Sequence, residues 1–362
     1  MVRAGRTLVW EPVQPDLTWH IRAVPAVQGR AGFEALAATM MTTPLPADRP
    51  LWELLVVPGA GVGAPGIVLR VHHCIADGVA GVRVLQQLFG DGDVTEAPSA
   101  GPAAPSEPGK AGSTQAVARR RVPRFRALAT SVTRIAAVFR STVPATALLG
   151  PIGPNRGVTL VDADLGALAT AVRPVSATVN DALLVAVAAG ATAALRGRGH
   201  PVPAVLPDSV PVALSGRGSS GNAVGVMVVP LVTETGDARA LLEEVASVTR
   251  TAKEQARAQG TFELTRSRWG SRLFARLARR QRFIALFVTN VRGPECRLRV
   301  GGAPLIRAWP VAPIQGNVRF GVAAMSYAGR FEVAVHVDAD AVDVVAAGRA
   351  LADELARLGD TT

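Results

Sequence analysis

Apolar and polar positions alternate in distinct blocks along the 362-residue chain, and their spacing predicts a mixture of strands and helices. Short runs rich in Val, Leu and Ile predict strands at 51–57, 66–71, 158–163, 209–214, 222–232, 283–291, 305–312, 318–327 and 331–338. Apolar residues at helical spacing predict helices at 79–89, 116–142, 165–172, 178–196, 237–258, 264–281 and 340–358. Strands such as 331–338 are apolar at alternate positions, which indicates a mixed or antiparallel sheet in an α/β protein.

A stretch dense in Pro, Gly, Ala and Ser divides the chain. Residues 91–115 have this composition, which is typical of a flexible linker. The pattern therefore predicts an N-terminal subdomain at 1–90, a linker at 91–115 and a C-terminal subdomain at 116–362.

The composition indicates a chain with a large core. Apolar residues make up 49% of the sequence and charged residues 19%. Cys74 and Cys296 are too few for a disulfide framework, and the first residues lack the apolar core of a signal peptide. The longest apolar run, 182–195, is shorter than the ~20 residues of a membrane span. We therefore expect a cytoplasmic protein in which this run is a buried core helix.

Arginine supplies most of the formal charge of +11, and it is concentrated in two segments. No acidic residue occurs from Pro108 to Val161, and seven arginines without an acidic residue lie between Leu264 and Asn290. A basic amphipathic helix in the second segment could lie on an anionic membrane or bind CoA phosphates, and a solvated basic face is the alternative. Nucleic-acid binding is disfavoured because aromatic residues are only 4% and no reader motif is present.

The candidate catalytic residues lie at 71–78, which read VHHCIADG between a predicted strand and a predicted helix. Side chains alternate along a strand, so His72 and His73 are expected on opposite faces and in different roles. Asp77 could hold a backbone amide or a cation across the turn, and Gly78 could permit the backbone conformation that starts the helix. Metal-binding is disfavoured because no third ligand cluster accompanies the histidine and the aspartate, and no metal is predicted.

Two interpretations of the histidine pair stay open on these residues alone. Adjacent histidines at a turn can be purely structural. A neutral imidazole at the open end of a strand can instead take a proton from a hydroxyl near pH 7. No GxGxxG or P-loop pattern occurs between a strand and a helix, which argues against nucleotide-binding folds of those kinds.

Several motifs together resemble one family. HHxxxDG at 72–78 resembles the motif of the superfamily of chloramphenicol acetyltransferases and peptide-synthetase condensation domains. More closely, the chain resembles the bacterial wax ester synthase/acyl-CoA:diacylglycerol acyltransferase family, through RPLWE at 49–53, LLGPIGPNR at 148–156, ATVNDALLVAVAAGATAALR at 177–196, VTNVRGP at 288–294 and SYAGR at 326–330. The order of these segments covers nearly the whole chain.

The resemblance implies an α+β sandwich of two chloramphenicol-acetyltransferase-like subdomains with mixed sheets and a channel between them. It implies transfer of a fatty acyl group from acyl-CoA to diacylglycerol or a long-chain alcohol, with acyl-CoA as a substrate and no cofactor. His73 would be the general base, and the motif would be supported by His72, Asp77 and Gly78. Site-shaping or channel residues would be Asn180, Asp181 and Asn290, although helix capping alone would also explain Asn180 and Asp181.

The chain departs from the family in two ways. The family has several dozen more residues before the segment matched here at 19–24, which implies an incomplete N-terminal subdomain, and Arg292 stands where Pro is common. A catalytically weak or inactive acyl-binding relative and an acyltransferase of specialised metabolism are therefore kept as alternatives. Lipid substrates also imply a location at the inner membrane face or at lipid droplets, reached through the basic helices.

Overall fold

A computed structural model of the protein describes residues 2–4, 7–9, 13–90, 143–213, 224–233, 236–259 and 279–360. The strands are β1 (Val2–Ala4), β2 (Thr7–Val9), β3 (Ile21–Ala23), β4 (Trp52–Gly61), β5 (Ala64–Val71), β6 (Arg156–Asp164), β7 (Val205–Ala213), β8 (Val224–Val232), β9 (Leu286–Arg292), β10 (Arg299–Val300), β11 (Ala303–Pro304), β12 (Phe320–Tyr327) and β13 (Arg330–Asp338). The helices are α1 (Leu17–His20), α2 (Gly29–Thr42), α3 (Gly78–Phe89), α4 (Leu165–Val172), α5 (Val179–Arg196), α6 (Ala238–Gln259) and α7 (Val344–Gly359).

Two mixed sheets, built from different parts of the chain, form the framework. The smaller has the order β3-β4-β5, in which β3 and β4 are parallel and β5 is antiparallel to β4. The larger has the order β6-β13-β12-β9-β7-β8, in which β9 is parallel to both of its neighbours. The remaining pairs in the larger sheet are antiparallel. The predicted α/β class with mixed sheets is thus confirmed.

Alternation along the strands of the larger sheet separates its two faces. Val333, Val335 and Val337 of β13 enter the main core with α4, α5, α6 and α7. Ala334, on the opposite face, packs in a smaller cluster with residues of α2. A third cluster joins α3 to β9 and β12 on that face. The N-terminal helices α2 and α3 therefore pack on the sheet built by the C-terminal residues.

Helix α5 is the apolar segment that the sequence predicts to be buried. It is long and apolar enough to cross a membrane, yet 72% of it is buried inside the fold. Leu183, Leu184 and Leu195 are fully enclosed in the main core. The prediction of a core helix is therefore confirmed.

Some predicted elements lie elsewhere or are absent. Residues 305–312 form an irregular stretch and not the predicted strand. They contact the sheet through hydrogen bonds between a side chain and a backbone carbonyl. Trp309 Nε1 donates to the Val161 carbonyl at 3.1 Å, and the Ala312 carbonyl is 2.8 Å from His336 Nδ1.

Two predicted segments, the linker 91–115 and the helix 116–142, lie outside the described residues. So does the helix 264–281, except for residues 279–281, which are not helical.

Helix α2 is not anticipated from the sequence, although it joins the two halves of the structure. Glu34 accepts a hydrogen bond from the Leu160 backbone N–H at 2.8 Å, and Arg30 forms an ion pair with Asp162 at 3.2 Å. Arg307 also pairs with Asp162, at 2.9 Å. Charge pairs of this kind fix the position of α2 on β6 more than they stabilise the fold.

An unpaired carboxyl lies in the main core. Asp208 of β7 is fully buried, and neither side-chain oxygen has a hydrogen-bond partner within the described ranges of the chain. Burial raises the pKa of the Asp208 carboxyl well above its usual range, against a smaller opposing effect of the Ser209 backbone N–H. The carboxyl is therefore held in its neutral form well above the pH at which an exposed aspartate ionises.

This burial predicts a pH-dependent gain in stability for Asp208→Asn. The pKa of Asp208 is higher in the folded protein than in the unfolded one. The contribution of this group to stability is therefore fully present below about pH 4, where the carboxyl is neutral in both states, and it is lost as the pH rises through the folded pKa. The amide cannot ionise, so the free energy of unfolding of the variant, relative to the native protein, should rise from pH 4 to pH 8 in denaturant titrations. The exposed Asp48→Asn is the matched control. A difference that is constant across this pH range would contradict the account.

Candidate active site

The two histidines lie in a tight turn between β5 and α3. Strand β5 ends at Val71, and the Ile75 backbone N–H donates to the His72 carbonyl at 2.8 Å. Asp77 is the N-cap of α3, and its side chain accepts from the Ala80 backbone N–H at 2.8 Å. The Asp77 carboxylate thus holds a backbone amide, the first of the two uses expected from the sequence.

The hydrogen bond of His73 determines which ring nitrogen is free. His73 Nδ1 lies 3.2 Å from the Ala76 carbonyl oxygen, which can only accept, so Nδ1 carries the proton. Nε2 is then left with its lone pair. The His73 side chain is exposed, so this lone pair is on a group that a substrate can reach.

His72 takes the opposite tautomer. Its Nδ1 accepts from the Cys74 backbone N–H at 3.2 Å and lies 2.9 Å from Cys74 Sγ, so the ring proton is on Nε2. The His72 backbone N–H donates to the Leu51 carbonyl at 3.0 Å. The two adjacent rings therefore present different groups: His73 has a free Nε2 lone pair, and His72 has its acceptor occupied within the turn.

Gly78 is explained by a close approach rather than by its backbone conformation. It does not have a positive φ, so the expectation that glycine is needed to start the helix is wrong. A Cβ atom at this position would lie 3.1 Å from Val291 Cγ1 at the end of β9. A side chain at Gly78 would therefore need Val291 to give way by a few tenths of an ångström.

Two asparagines from the C-terminal half meet close to this contact. Asn290 of β9, the neighbour of Val291, has its Nδ2 3.5 Å from Oδ1 of Asn180 in the first turn of α5. Both side chains are half-buried, and Asn180 Nδ2 makes no hydrogen bond among the described residues. The start of α3, the end of β9 and the start of α5 thus lie close together. Among the residues that the structure describes, no hydrogen bond joins His73 to either asparagine.

Asp181, by contrast, is used inside the fold. It is buried, and its Oδ2 accepts from the Thr178 backbone N–H at 2.8 Å and from the Thr178 hydroxyl at 2.7 Å. Its Oδ1 accepts from the Thr249 hydroxyl of α6 at 2.7 Å. This is a capping box that also ties α5 to α6, and it occupies both oxygens of the carboxylate.

Large aliphatic side chains are exposed beside the histidine turn. Ile75 is 47% exposed and Val79 is 56% exposed. No group of three or more potential metal-binding side chains occurs among the residues that the structure describes. The channel implied by the resemblance stays a prediction. A shallow, open depression on the surface at the end of α7 is lined by Asp353, Ala356, Arg357 and Asp360.

Two domain descriptions from one family match the chain. The wax ester synthase/diacylglycerol acyltransferase catalytic domain matches residues 4–183, and the C-terminal domain of that family matches residues 220–358. The chain belongs to the wax ester synthase/diacylglycerol acyltransferase family. The family predicted from HHxxxDG and its companion motifs is thereby confirmed, as is the prediction of an O-acyltransferase.

Related proteins agree with this assignment over most of their length. A probable diacylglycerol O-acyltransferase of Mycobacterium tuberculosis is 28% identical over 94% of this chain and 78% of its own. A putative diacylglycerol O-acyltransferase of the same organism is 29% identical over 92% of this chain and 76% of its own.

Solved structures confirm the fold expected for this family. The wax ester synthase/diacylglycerol acyltransferase of Marinobacter aquaeolei VT8 matches with a TM-score of 0.71 at 20% identity, over 99% of this chain and 83% of that one. A four-domain nonribosomal peptide synthetase matches with a TM-score of 0.55 at 11% identity, over 97% of this chain and 28% of that one.

Sequence reasoning missed the residues behind the histidine turn. The Trp52 ring stacks on His20, with ring centroids 4.4 Å apart. The segment LLGPIGPNR has a structural use: the Gly153 backbone N–H donates to buried Asp338 at 2.9 Å, and Asn155 Nδ2 donates to Asp340 at 2.7 Å. The pairing of His20 with Trp52 links residues 32 apart, so local sequence patterns do not reveal it.

The contacts of Asp181 predict that its removal destabilises the protein more than removal of an ordinary helix cap. Asp181→Ala should lower the free energy of unfolding by about 3 kcal/mol, because three hydrogen bonds to a buried carboxylate are lost. Asp164→Ala removes the exposed cap of α4, which accepts from the Ala167 backbone N–H, and should cost about 1 kcal/mol. Equal losses in urea titrations would show that Asp181 has no structural role beyond capping.

Proposed function

We propose that this O-acyltransferase transfers a fatty acyl group from acyl-CoA to the hydroxyl of diacylglycerol or a long-chain alcohol, with His73 as the general base. The family membership supports the reaction class and the substrates. The observation that supports the base is the His73 Nδ1–Ala76 carbonyl contact, which leaves Nε2 unprotonated on an exposed ring.

The proposed reaction is a direct transfer. Nε2 of His73 takes the proton from the acceptor hydroxyl as its oxygen attacks the thioester carbonyl carbon. The new C–O bond forms, the C–S bond breaks, and CoA leaves as a thiol after receiving a proton from the imidazolium. No acyl-enzyme is needed, because holding both substrates in line supplies much of the acceleration.

Asn180 and Asn290 are proposed to shape the acyl side of the site. The contact between their side chains leaves Asn180 Nδ2 free among the described residues, and an amide N–H can donate to a carbonyl oxygen that gains negative charge. Asn290 pairs with Ala324, whose side chain lies in the main core, whereas the neighbouring Val291 packs with α3. The two asparagines and the helix that follows the histidine turn therefore meet the end of β9 from its two opposite faces.

Apolar surface beside the base supports a lipid substrate. Ile75 follows His73 by two residues, and Val79 lies in the first turn of α3, and both are exposed. Alkyl chains gain about 0.8 kcal/mol for each CH₂ removed from water. Contact with a membrane or a lipid-droplet surface through the arginines of 264–290 is a further part of the proposal, and most of that segment lies outside the described residues.

His73→Asn should abolish most turnover while preserving the turn. The asparagine Nδ2 can donate to the Ala76 carbonyl as Nδ1 does, but asparagine has no basic nitrogen. We expect kcat, measured as thiol release from a long-chain acyl-CoA with diacylglycerol or a fatty alcohol present, to fall about 10²–10⁴-fold.

His200→Ala is the matched control, because His200 lies in the turn after α5 and away from the motif. It should retain native turnover. Retention of most activity by a folded His73→Asn protein would overturn the assignment of the base.

Two alternatives predict different results in the same assay. An inactive acyl-binding relative would bind long-chain acyl-CoA and release no thiol with any acceptor. An acyltransferase of specialised metabolism would transfer from an acylated carrier protein more readily than from acyl-CoA. Comparing the two donors with one alcohol therefore distinguishes all three functions.

A further inference from the structure

A third histidine lies in the layer behind the proposed base. His20, at the end of α1, is fully buried, and its ring is packed between Trp52 at 4.4 Å and Trp19 at 4.8 Å. Its Nδ1 lies 2.7 Å from the Trp52 carbonyl, which can only accept, so Nδ1 carries the proton. Its Nε2 is buried without a hydrogen-bond partner in the part of the chain that the structure describes.

Two successive carbonyls, those of Leu51 and Trp52, connect His20 to the histidine turn. The Trp52 carbonyl accepts from His20, and the preceding carbonyl, that of Leu51, accepts from the His72 backbone N–H at 3.0 Å. Trp52 is also paired with Val71, the last residue of β5. The segment is thus held by His20 on one side and holds the start of the turn on the other.

The orphan nitrogen shows that packing alone does not explain a histidine here. A buried polar atom without a partner destabilises the folded protein, and a phenylalanine ring could stack on Trp52 without leaving such an atom. What histidine adds over phenylalanine is the Nδ1–H donor to the Trp52 carbonyl.

We infer that His20 is a positioning residue for the transfer reaction: by donating to the Trp52 carbonyl it fixes the Leu51 carbonyl under the His72 N–H and so sets the turn that presents His73. This rests on the proposed function in one respect, that His73 is the base. In this role His20 acts through Leu51 and Trp52 of the RPLWE motif.

Two variants separate the donor from the ring. His20→Phe keeps the stacking and loses the donor, so it should melt within a few degrees of the native protein while kcat falls about 10–100-fold and the KM for acyl-CoA changes little. His20→Asn places an amide N–H where Nδ1 stands but loses the ring. It should therefore melt at a lower temperature and yet recover most of the native kcat at a temperature where it is folded.

Hydrogen exchange of the His72 amide provides a readout that does not depend on activity. It should be about 10-fold faster in His20→Phe than in the native protein and close to native in His20→Asn. If both variants lose kcat only in proportion to unfolding, and the His72 amide is equally protected in both, His20 is merely structural and the inference is overturned. If the native protein has no transferase activity, the proposed function fails, while the exchange rates still decide whether His20 holds the turn.

Discussion

The hydrogen bond between His73 Nδ1 and the Ala76 carbonyl is the contact on which the proposed chemistry depends. A histidine can act as a base only through a nitrogen that lacks a proton, and in this turn a backbone carbonyl decides which nitrogen that is. The conformation of this turn depends on the Asp77 cap of α3 and on the hydrogen bond from the His72 backbone N–H to the Leu51 carbonyl. The backbone thus prepares the imidazole before any substrate arrives.

The rest of the structure brings the second half of the protein against this turn. Helix α3 packs on β9 and β12, and the close approach of Gly78 to Val291 leaves little room for a side chain at this position. Asp181 fixes the first turn of α5 from inside, and its half-buried neighbour Asn180 contacts Asn290 from the same turn. Of these two adjacent residues, Asp181 stabilises the fold and Asn180 is available to the site. The two adjacent histidines differ in the same way, because one supports the turn and the other is the proposed base.

The sequence predicted the elements that have a strong local pattern and missed those fixed by distant contacts. Helices α4 and α5 match their predicted bounds to within one residue, because apolar spacing and capping residues define them locally. Helix α2 was missed, and 305–312 was predicted as a strand, because both are held by contacts with β6 and β13 from far along the chain. For the site, HHxxxDG located the turn, but neither the tautomers nor the His20–Trp52 contact can be read from local sequence.

The proton position on His73 is the most direct test of the account. Long-range ¹⁵N–¹H correlation spectra of the imidazole, recorded at neutral pH on the folded protein, distinguish a protonated ring nitrogen from an unprotonated one. The account predicts that Nδ1 of His73 carries the proton and that Nε2 does not. A proton on Nε2, with Nδ1 bare, would contradict it, because the nitrogen proposed to receive the hydroxyl proton would already be occupied.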